Sequence, residues 1–203
     1  MRNDPFGQRY LRDECAVFDY NAWDDVDWPE EKEAEIHQTI QAQMADAVPE
    51  SVSLSLLENP KDRWEAFFET HNNKFFMDRK WLSREFSELF VRPKVADGTL
   101  DFVLCIFVLS AVRPDRLRAA VSNLVALLRP GGMLLLKDYG RHDLTQLRFK
   151  SGRLIQHNLY RRGDDTLVYF FTTEEMDELF REAGLEKIQN FMDKRLVGKE
   201  QNA

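Results

Sequence analysis

The stretch LDFVLCIFVLSAVRPDRLRAAVSNLVALLRPGGMLLLKDYG, residues 100–140, decides the fold. An apolar run at 100–109 predicts a strand that is buried on both faces, as in the centre of a parallel sheet. Residues 115–129 carry apolar side chains at helical spacing and predict a helix that a Gly-Gly pair ends. Residues 133–137 predict a second strand. Together they predict a parallel β-α-β unit, which indicates the α/β class and a doubly wound sheet.

The glycines of the chain do not supply the turn that such a sheet normally uses. A doubly wound sheet holds a nucleoside cofactor on a glycine-rich turn that follows an early strand. The chain has nine glycines, and no two of them are spaced as G-x-G. They are Gly7, Gly98, Gly131, Gly132, Gly140, Gly152, Gly163, Gly184 and Gly198. The sequence therefore predicts an incomplete sheet.

Two regions are predicted, with the boundary between Phe90 and Val91. Residues 1–90 are expected to form an N-terminal cap of helices and aromatic side chains, and residues 91–203 the C-terminal half of the α/β domain. In the cap, helices are predicted at 29–47, 60–69 and 82–90, with a polar connector at 48–59. In the second region, the elements expected beyond residue 140 are a basic loop at 141–165, a strand at 167–171, a helix at 173–183 and a strand at 186–192.

The composition limits the class of protein. A chain of 203 residues with 43% hydrophobic content is long enough for one domain with a core. Its two cysteines, Cys15 and Cys105, predict neither a disulfide framework nor a metal site. No apolar run approaches the ~20 residues of a membrane helix. The N-terminus has no apolar signal segment, so a cytoplasmic or nuclear protein is expected.

Candidate site residues follow the two strands of the β-α-β unit, where ligands bind in doubly wound sheets. Ile106 lies near the end of the first strand, and Asp138 and Tyr139 follow the second. A carboxylate beside an aromatic ring can orient the amino group of a base. A hydrogen bond that merely orders the loop explains Asp138 equally well.

A basic and aromatic segment at 137–162 predicts contact with RNA. Cations suit phosphates, and aromatic rings suit bases that are turned out of a single-stranded loop. The candidate RNA-binding residues are Arg141, Arg148, Lys150, Tyr160 and Arg161. The alternative is a solvated basic loop. The net charge of the chain is −7, but residues 13–69 carry 16 acids and only 3 bases, a net charge of −13, so the remainder carries +6.

An aromatic pair, Trp64 and Phe68, lies one helical turn apart in the predicted cap. Such a pair can cover an adenine or another base. More often an aromatic pair of this kind belongs to the hydrophobic core, and that alternative stays open.

Five segments together resemble one family, the methyltransferase-like enzymes that form 3-methylcytidine in the anticodon loop of transfer RNA. They are PFGQRYLRDECAVFDYNAWDDVDW (5–28), RWEAFFETHNNKFFMDRKWLSREFSEL (63–89), LDFVLCIFVLSAVRPDRL (100–117), LLRPGGMLLLKDYGRHDLTQLRFK (127–150) and NLYRRGDDTLVYFFTTEEMDELFREAGLEK (158–187). The N-terminal segment is most similar to the subgroup that acts on threonine and arginine transfer RNAs.

The resemblance implies a class I (Rossmann-like) S-adenosylmethionine-dependent methyltransferase sheet with an N-terminal cap. It implies S-adenosylmethionine as cofactor, transfer RNA as substrate, and an adaptor protein or aminoacyl-tRNA synthetase as a further candidate partner. Trp64, Phe68 and Ile106 match cofactor-contacting positions, although the family commonly has Tyr at the position of Phe68. Asp138 and Tyr139 match the catalytic motif beside the target base.

The sequence departs from the family between Phe90 and Val91. The family has its glycine-rich cofactor loop, an acidic residue for the ribose, and its first three strands there, and this chain has none of them. The resemblance therefore implies a shortened transfer RNA methyltransferase. The alternative is a non-catalytic module that binds RNA or a partner protein.

Overall fold

The computed structural model describes residues 10–13, 15, 22–24, 29–71 and 100–197. The chain divides into two compact units, residues 1–38 with 189–203 and residues 39–188. In the first unit, β1 (Ala22–Asp24) pairs antiparallel with β7 (Arg195–Val197). The predicted boundary at Phe90 and Val91 lies outside the described residues and stays a prediction.

Three helices occupy the N-terminal half of the described chain, namely α1 (Glu30–Ala45), α2 (Glu50–Glu58) and α3 (Pro60–His71). The predictions of helices at 29–47 and 60–69 are confirmed. The helix predicted at 82–90 lies outside the described residues.

The connector predicted at 48–59 is wrong, because α2 forms there. This helix buries only Ser53 and Leu56, so its apolar pattern is too sparse to be recognised. Leu56 is 2% exposed and packs against Leu159 and Leu167, which lie about a hundred residues further along the chain. A tertiary contact therefore decides this helix, and no local pattern shows it.

The predicted β-α-β unit is present, which confirms the α/β class. Strand β2 (Leu100–Ile106) pairs in parallel with β3 (Leu128–Lys137), and α4 (Leu117–Val125) connects them. In the described part of the chain these strands form a two-stranded sheet. Leu100 and Leu104 of β2 are 49% and 39% exposed. The prediction that this strand is buried on both faces is therefore wrong.

The prediction that the Gly-Gly pair ends the helix is wrong. Helix α4 ends at Val125, and Gly131 and Gly132 lie inside β3, where the register with β2 shifts. Gly131 has a φ of +80°, and a Cβ at Gly132 would lie 2.9 Å from the backbone oxygen of Leu100. The pair therefore permits an irregular, close approach of two strands.

The basic loop predicted at 141–165 is instead largely folded. It contains a short helix α5 (Leu144–Leu147) and the strands β4 (Leu154–Gln156) and β5 (Leu159–Arg161), which form an antiparallel sheet with β6 (Leu167–Tyr169). The side chains of Leu154, Tyr160, Val168 and Phe170 form its core. These apolar positions are few among many cations, so charge concealed the strand pattern.

The helix predicted at 173–183 is confirmed as α6 (Thr173–Glu182). Its predicted capping box is present: the Glu175 N–H donates to Thr172 Oγ1 at 3.1 Å, and the Thr172 N–H donates to Glu175 Oε2 at 2.8 Å. The strand predicted at 186–192 is wrong, since every residue in that range is exposed and none is in a strand.

The described ranges contain no helix that is long and apolar enough to cross a bilayer. Within those same ranges, no three His, Cys, Asp or Glu side chains are grouped as metal ligands.

Candidate active site and RNA-binding surface

The carboxyl ends of β2 and β3 lie side by side. Ile106 is half-buried and pairs with Lys137, and the Phe107 N–H donates to the Lys137 carbonyl at 2.8 Å. Because the strands are parallel, the residues that follow both of them share one edge of the sheet. The predicted strand 100–109 thus ends three residues early, which brings the segment after Ile106 to this edge.

Asp138 joins the two strand ends. Its Oδ2 accepts a hydrogen bond from the Ser110 N–H at 3.1 Å, and its Oδ1 accepts one from the Tyr139 N–H at 2.9 Å. Burial raises the pKa of the Asp138 carboxyl above its ordinary value, while the bonds from Ser110 and Tyr139 oppose that shift. The loop-ordering hydrogen bond is therefore present.

The Tyr139 ring lies in an aromatic cluster. Its centroid is 4.7 Å from that of Phe107 and 5.7 Å from that of Phe170, and the Arg162 guanidinium carbon lies 5.5 Å from the ring centroid. Phe107 has a φ of +52°, a conformation that costs energy for a residue with a Cβ. The Tyr139 ring is thus held at the strand edge by contacts that sequence reasoning did not find.

The segment that follows Tyr139 is fixed by the end of the antiparallel sheet. The Phe171 N–H donates to the Tyr139 carbonyl at 2.9 Å, and the Arg141 N–H donates to the Phe171 carbonyl at 2.7 Å. The Nε of Arg141 is buried and has no hydrogen-bond partner among the residues that the structure describes. His142 has a φ of +65°, and its N–H donates to Gln146 Oε1 at 2.7 Å.

A buried polar network lies behind this segment. Tyr160 is 1% exposed, and its hydroxyl donates to Gln43 Oε1 at 2.8 Å and accepts from Gln146 Nε2 at 3.3 Å. Gln43 Nε2 donates to the carbonyls of Gln146 and Phe149, both at 3.0 Å. Sequence reasoning missed Gln43 and Gln146, because a glutamine on a polar helix gives no sign that it will be buried.

The predicted RNA-binding residues lie in different environments. Arg148 and Lys150 are exposed, while Arg141 and Arg161 are half-buried. Arg161 Nε donates to Asp165 Oδ1 at 2.6 Å. The Tyr160 ring is enclosed and stacks on Phe149 at 4.9 Å, so in this structure no base can reach it.

The predicted aromatic pair is formed on α3. The Trp64 and Phe68 rings have centroids 6.0 Å apart, and both rings contact Phe67, which is 7% exposed. Phe67 is thus the core residue of this helix. Trp64 is half-buried and Phe68 is 41% exposed, so the pair offers a partly open aromatic surface.

The open rings of Trp64 and Phe68 suit only the adenine end of S-adenosylmethionine, the cofactor that the resemblance implies. A partly open aromatic pair suits the face of an adenine ring. The methionine and ribose ends need a close backbone approach and a carboxylate, which a glycine-rich turn and an acidic strand end supply in doubly wound sheets. The sequence contains no G-x-G from which to build that turn.

Comparison with known proteins gives a consistent result. A methyltransferase-domain family model matches residues 9–190. The tRNA N(3)-cytidine methyltransferase METTL2 of Xenopus tropicalis is 30% identical, over 94% of this chain and 88% of the relative. The corresponding Drosophila melanogaster protein, Mettl2, is 31% identical over 94% and 81%. Trm140 of Schizosaccharomyces pombe, a tRNA N(3)-methylcytidine methyltransferase, is 30% identical over 96% and 86%.

The described residues form a parallel strand pair that carries a carboxylate and a tyrosine at its edge. Together with the match to the family model, this pair defines a Rossmann-like methyltransferase whose described sheet is incomplete. The chain belongs to the methyltransferase-domain family, among the transfer RNA cytidine-N3 methyltransferases. It is an enzyme by family.

Proposed function

We propose that this chain is a shortened S-adenosylmethionine-dependent methyltransferase that forms 3-methylcytidine in the anticodon loop of transfer RNA. The observation that carries the proposal is the strand-edge pair of Asp138 and Tyr139, in a chain related to enzymes of that specificity. Threonine and arginine transfer RNAs are the proposed substrates, and an adaptor protein or aminoacyl-tRNA synthetase is a proposed partner. The proposed location is the cytoplasm, with the nucleus as the second candidate.

Asp138 is proposed to act on the target base by its charge. The cofactor supplies a methyl group on a positively charged sulfur, and methylation at N3 of a neutral cytosine makes the base cationic. A carboxylate that accepts a hydrogen bond from the cytosine amino group stabilises this developing charge. Its two described hydrogen bonds fix the carboxylate in advance, so little reorganisation is needed during the reaction.

Tyr139 is proposed to support the base after it leaves its stack. Methylation at N3 requires access to an edge that pairing occupies in a duplex, so the base must be turned out. The Tyr139 ring is already held by Phe107 and Phe170. A fixed ring can contact a base with little loss of side-chain entropy.

The proposed RNA contacts are Arg141, Arg148, Lys150 and Arg161. Arg148 and Lys150 have the exposure that phosphate contacts require. Tyr160 was predicted with them, and its burial instead supports a role in holding the folded hairpin. For the cofactor, Trp64 and Phe68 are proposed to cover the adenine, with Ile106 at the end of β2.

The test is product analysis. The full chain is incubated with an unmodified threonine transfer RNA transcript and S-adenosylmethionine, and 3-methylcytidine is measured by mass spectrometry after nuclease digestion. The proposal predicts product that Asp138→Asn abolishes. Product at equal yield from Asp138→Asn would refute the role of the carboxylate, and no product with the unaltered chain would refute catalysis.

A non-catalytic RNA-binding module is the second candidate. Two observations favour it: the absence of any G-x-G, and an alignment with the frog relative that spans 295 positions, whereas this chain has 203 residues. The relative thus carries residues that have no counterpart here. We place that loss between Phe90 and Val91. Long-read sequencing of the transcript across these codons would refute the placement if the major form had an insert elsewhere and none at this junction.

A further inference from the structure

Asp165 collects arginine side chains from two separate parts of the chain. Arg161 Nε donates to Asp165 Oδ1 at 2.6 Å, and Arg63 Nη1 of α3 lies 3.9 Å from Asp165 Oδ2. The pKa of the Asp165 carboxyl is lowered by the hydrogen bond from Arg161 first, and by the positive charges of Arg161, Arg63 and Arg153. These three arginines and Asp165 are called the arginine cluster below.

The backbone around the arginine cluster is fixed. The Arg161 N–H donates to the Arg153 carbonyl at 2.8 Å across the β4–β5 hairpin, and Arg153 Nη1 donates to the Arg162 carbonyl at 3.1 Å. Asp165 has a φ of +66°, a conformation in which asparagine and aspartate are the most tolerated residues after glycine. In this turn the Asp165 carboxylate accepts the hydrogen bond from Arg161.

Among the described residues, the positive charge of the arginine cluster exceeds its negative charge. The cluster has three guanidinium groups and one carboxylate, and the neighbouring Asp164 is engaged with Thr166, whose N–H and Oγ1 donate to Asp164 Oδ1 at 3.0 and 2.7 Å. Each guanidinium has five N–H donors, and the described contacts use at most one or two in each. The side chains of Arg63 and Arg161 are 40% and 30% exposed, so a ligand can reach them.

We propose that Arg63, Arg153 and Arg161 form a single binding site for the phosphates of an RNA backbone, and that Asp165 holds them together for this task. The inference rests on the proposed RNA substrate and deepens it, because it adds Arg63, Arg153 and Asp165 to the surface. Guanidinium groups bind phosphate through paired hydrogen bonds, and arginines that are already oriented lose little entropy on binding.

Two residues of the arginine cluster are next in sequence to residues of the candidate site. Arg162, the neighbour of Arg161, lies over the Tyr139 ring, and Arg63 immediately precedes Trp64 on α3. The phosphate held by the cluster is proposed to belong to the same RNA as the base at Tyr139. The arginine cluster is proposed to position the RNA strand, whereas the base is contacted at the edge of the β2–β3 sheet.

The test is the salt dependence of binding to an unmodified transfer RNA transcript, measured by fluorescence anisotropy with the full chain. Each phosphate contact adds about 0.7 to 0.9 to the slope of log affinity against log salt. Arg63→Gln, Arg153→Gln and Arg161→Gln are each expected to lower that slope by about this amount. Lys61→Gln is the matched control, since Lys61 lies on the same helix, its side chain is 82% exposed, and it pairs with Glu65.

The outcomes separate this inference from the proposed function. Unchanged slopes in all three arginine variants, or an equal loss in Lys61→Gln, would overturn the phosphate site while leaving RNA binding intact. Absence of salt-dependent binding by the unaltered chain would overturn both proposals. Thermal unfolding of each variant identifies a loss that is due to misfolding. In that case Arg→Lys at the same position decides: a slope that returns with the positive charge supports the phosphate site, and a slope that stays lowered at restored stability overturns it.

Discussion

The hydroxyl of Tyr160 is expected to stabilise the fold, because it is a hydrogen-bond partner of two other buried polar side chains. Tyr160→Phe removes one oxygen from a side chain that is 1% exposed. Gln43 Oε1 then loses the donor at 2.8 Å, and Gln146 Nε2 loses the acceptor at 3.3 Å. A buried polar group left without a partner costs about 1–3 kcal/mol. The ring itself keeps its place against Phe149, so the change isolates the polar network.

The expected loss in the free energy of unfolding is therefore about 1–3 kcal/mol, measured by urea denaturation. In a chain of this length, each kcal/mol corresponds to a fall in melting temperature of about 2–4 °C. The matched control is Tyr139→Phe, since Tyr139 is half-buried and its hydroxyl makes no described hydrogen bond. That control is expected to change stability by less than about 0.5 kcal/mol. Equal losses in the two variants would refute the argument from buried hydrogen bonds.

Three further predictions concern the carboxylate at the strand edge, the buried thiol of Cys105 and the close approach of β2 and β3. Asp138→Asn is expected to lower 3-methylcytidine formation about a hundredfold or more while transfer RNA affinity is retained; an equal loss of affinity would indicate a binding role. Burial raises the pKa of the Cys105 thiol to about 11, so iodoacetamide at pH 8 should label exposed Cys15 and leave Cys105 unmodified, as peptide mass spectrometry would show. Gly132→Ala should destabilise the fold by about 1–3 kcal/mol, because its Cβ would meet a backbone oxygen of β2 at 2.9 Å, whereas Gly163→Ala, which meets no atom within 4 Å, should be nearly neutral in the same urea assay.

Local signals predicted the elements whose sequence pattern agrees with their packing. The Thr172 and Glu175 capping box is a bond between near neighbours, and the sequence alone places it correctly. The parallel β-α-β unit was found because its apolar runs are long. In contrast, α2 and the β4–β5 hairpin depend on contacts between distant segments, such as that of Leu56 with Leu159. Such contacts leave no period in the sequence, and the elements were therefore missed.

The same distinction applies to the candidate site. Asp138 and Tyr139 could be predicted because the ends of adjacent parallel strands meet at one edge, a rule that needs only the strand order. Gln43, Gln146 and Asp165 could not be predicted, since the first two meet Tyr160, and Asp165 meets Arg63, only in the folded chain. Tyr160 is the clearest example, because an aromatic residue among cations resembles an RNA contact until its burial is known.

The two halves of the proposed site therefore differ in what this chain supplies. The half for the target base is supported by hydrogen bonds that the N–H groups of Ser110 and Phe171 donate, and by the bond that Gln146 Oε1 accepts from the His142 N–H. The half for the cofactor has an aromatic pair and a strand end, while the sequence has no glycine-rich turn to receive the rest of the molecule. Binding energy from one end of a ligand does not replace the contacts that fix its reacting group. We therefore expect calorimetry to show only weak binding of S-adenosylmethionine, so that product formation needs a high cofactor concentration, beside salt-dependent binding to transfer RNA. Tight, stoichiometric cofactor binding would contradict this division of the site.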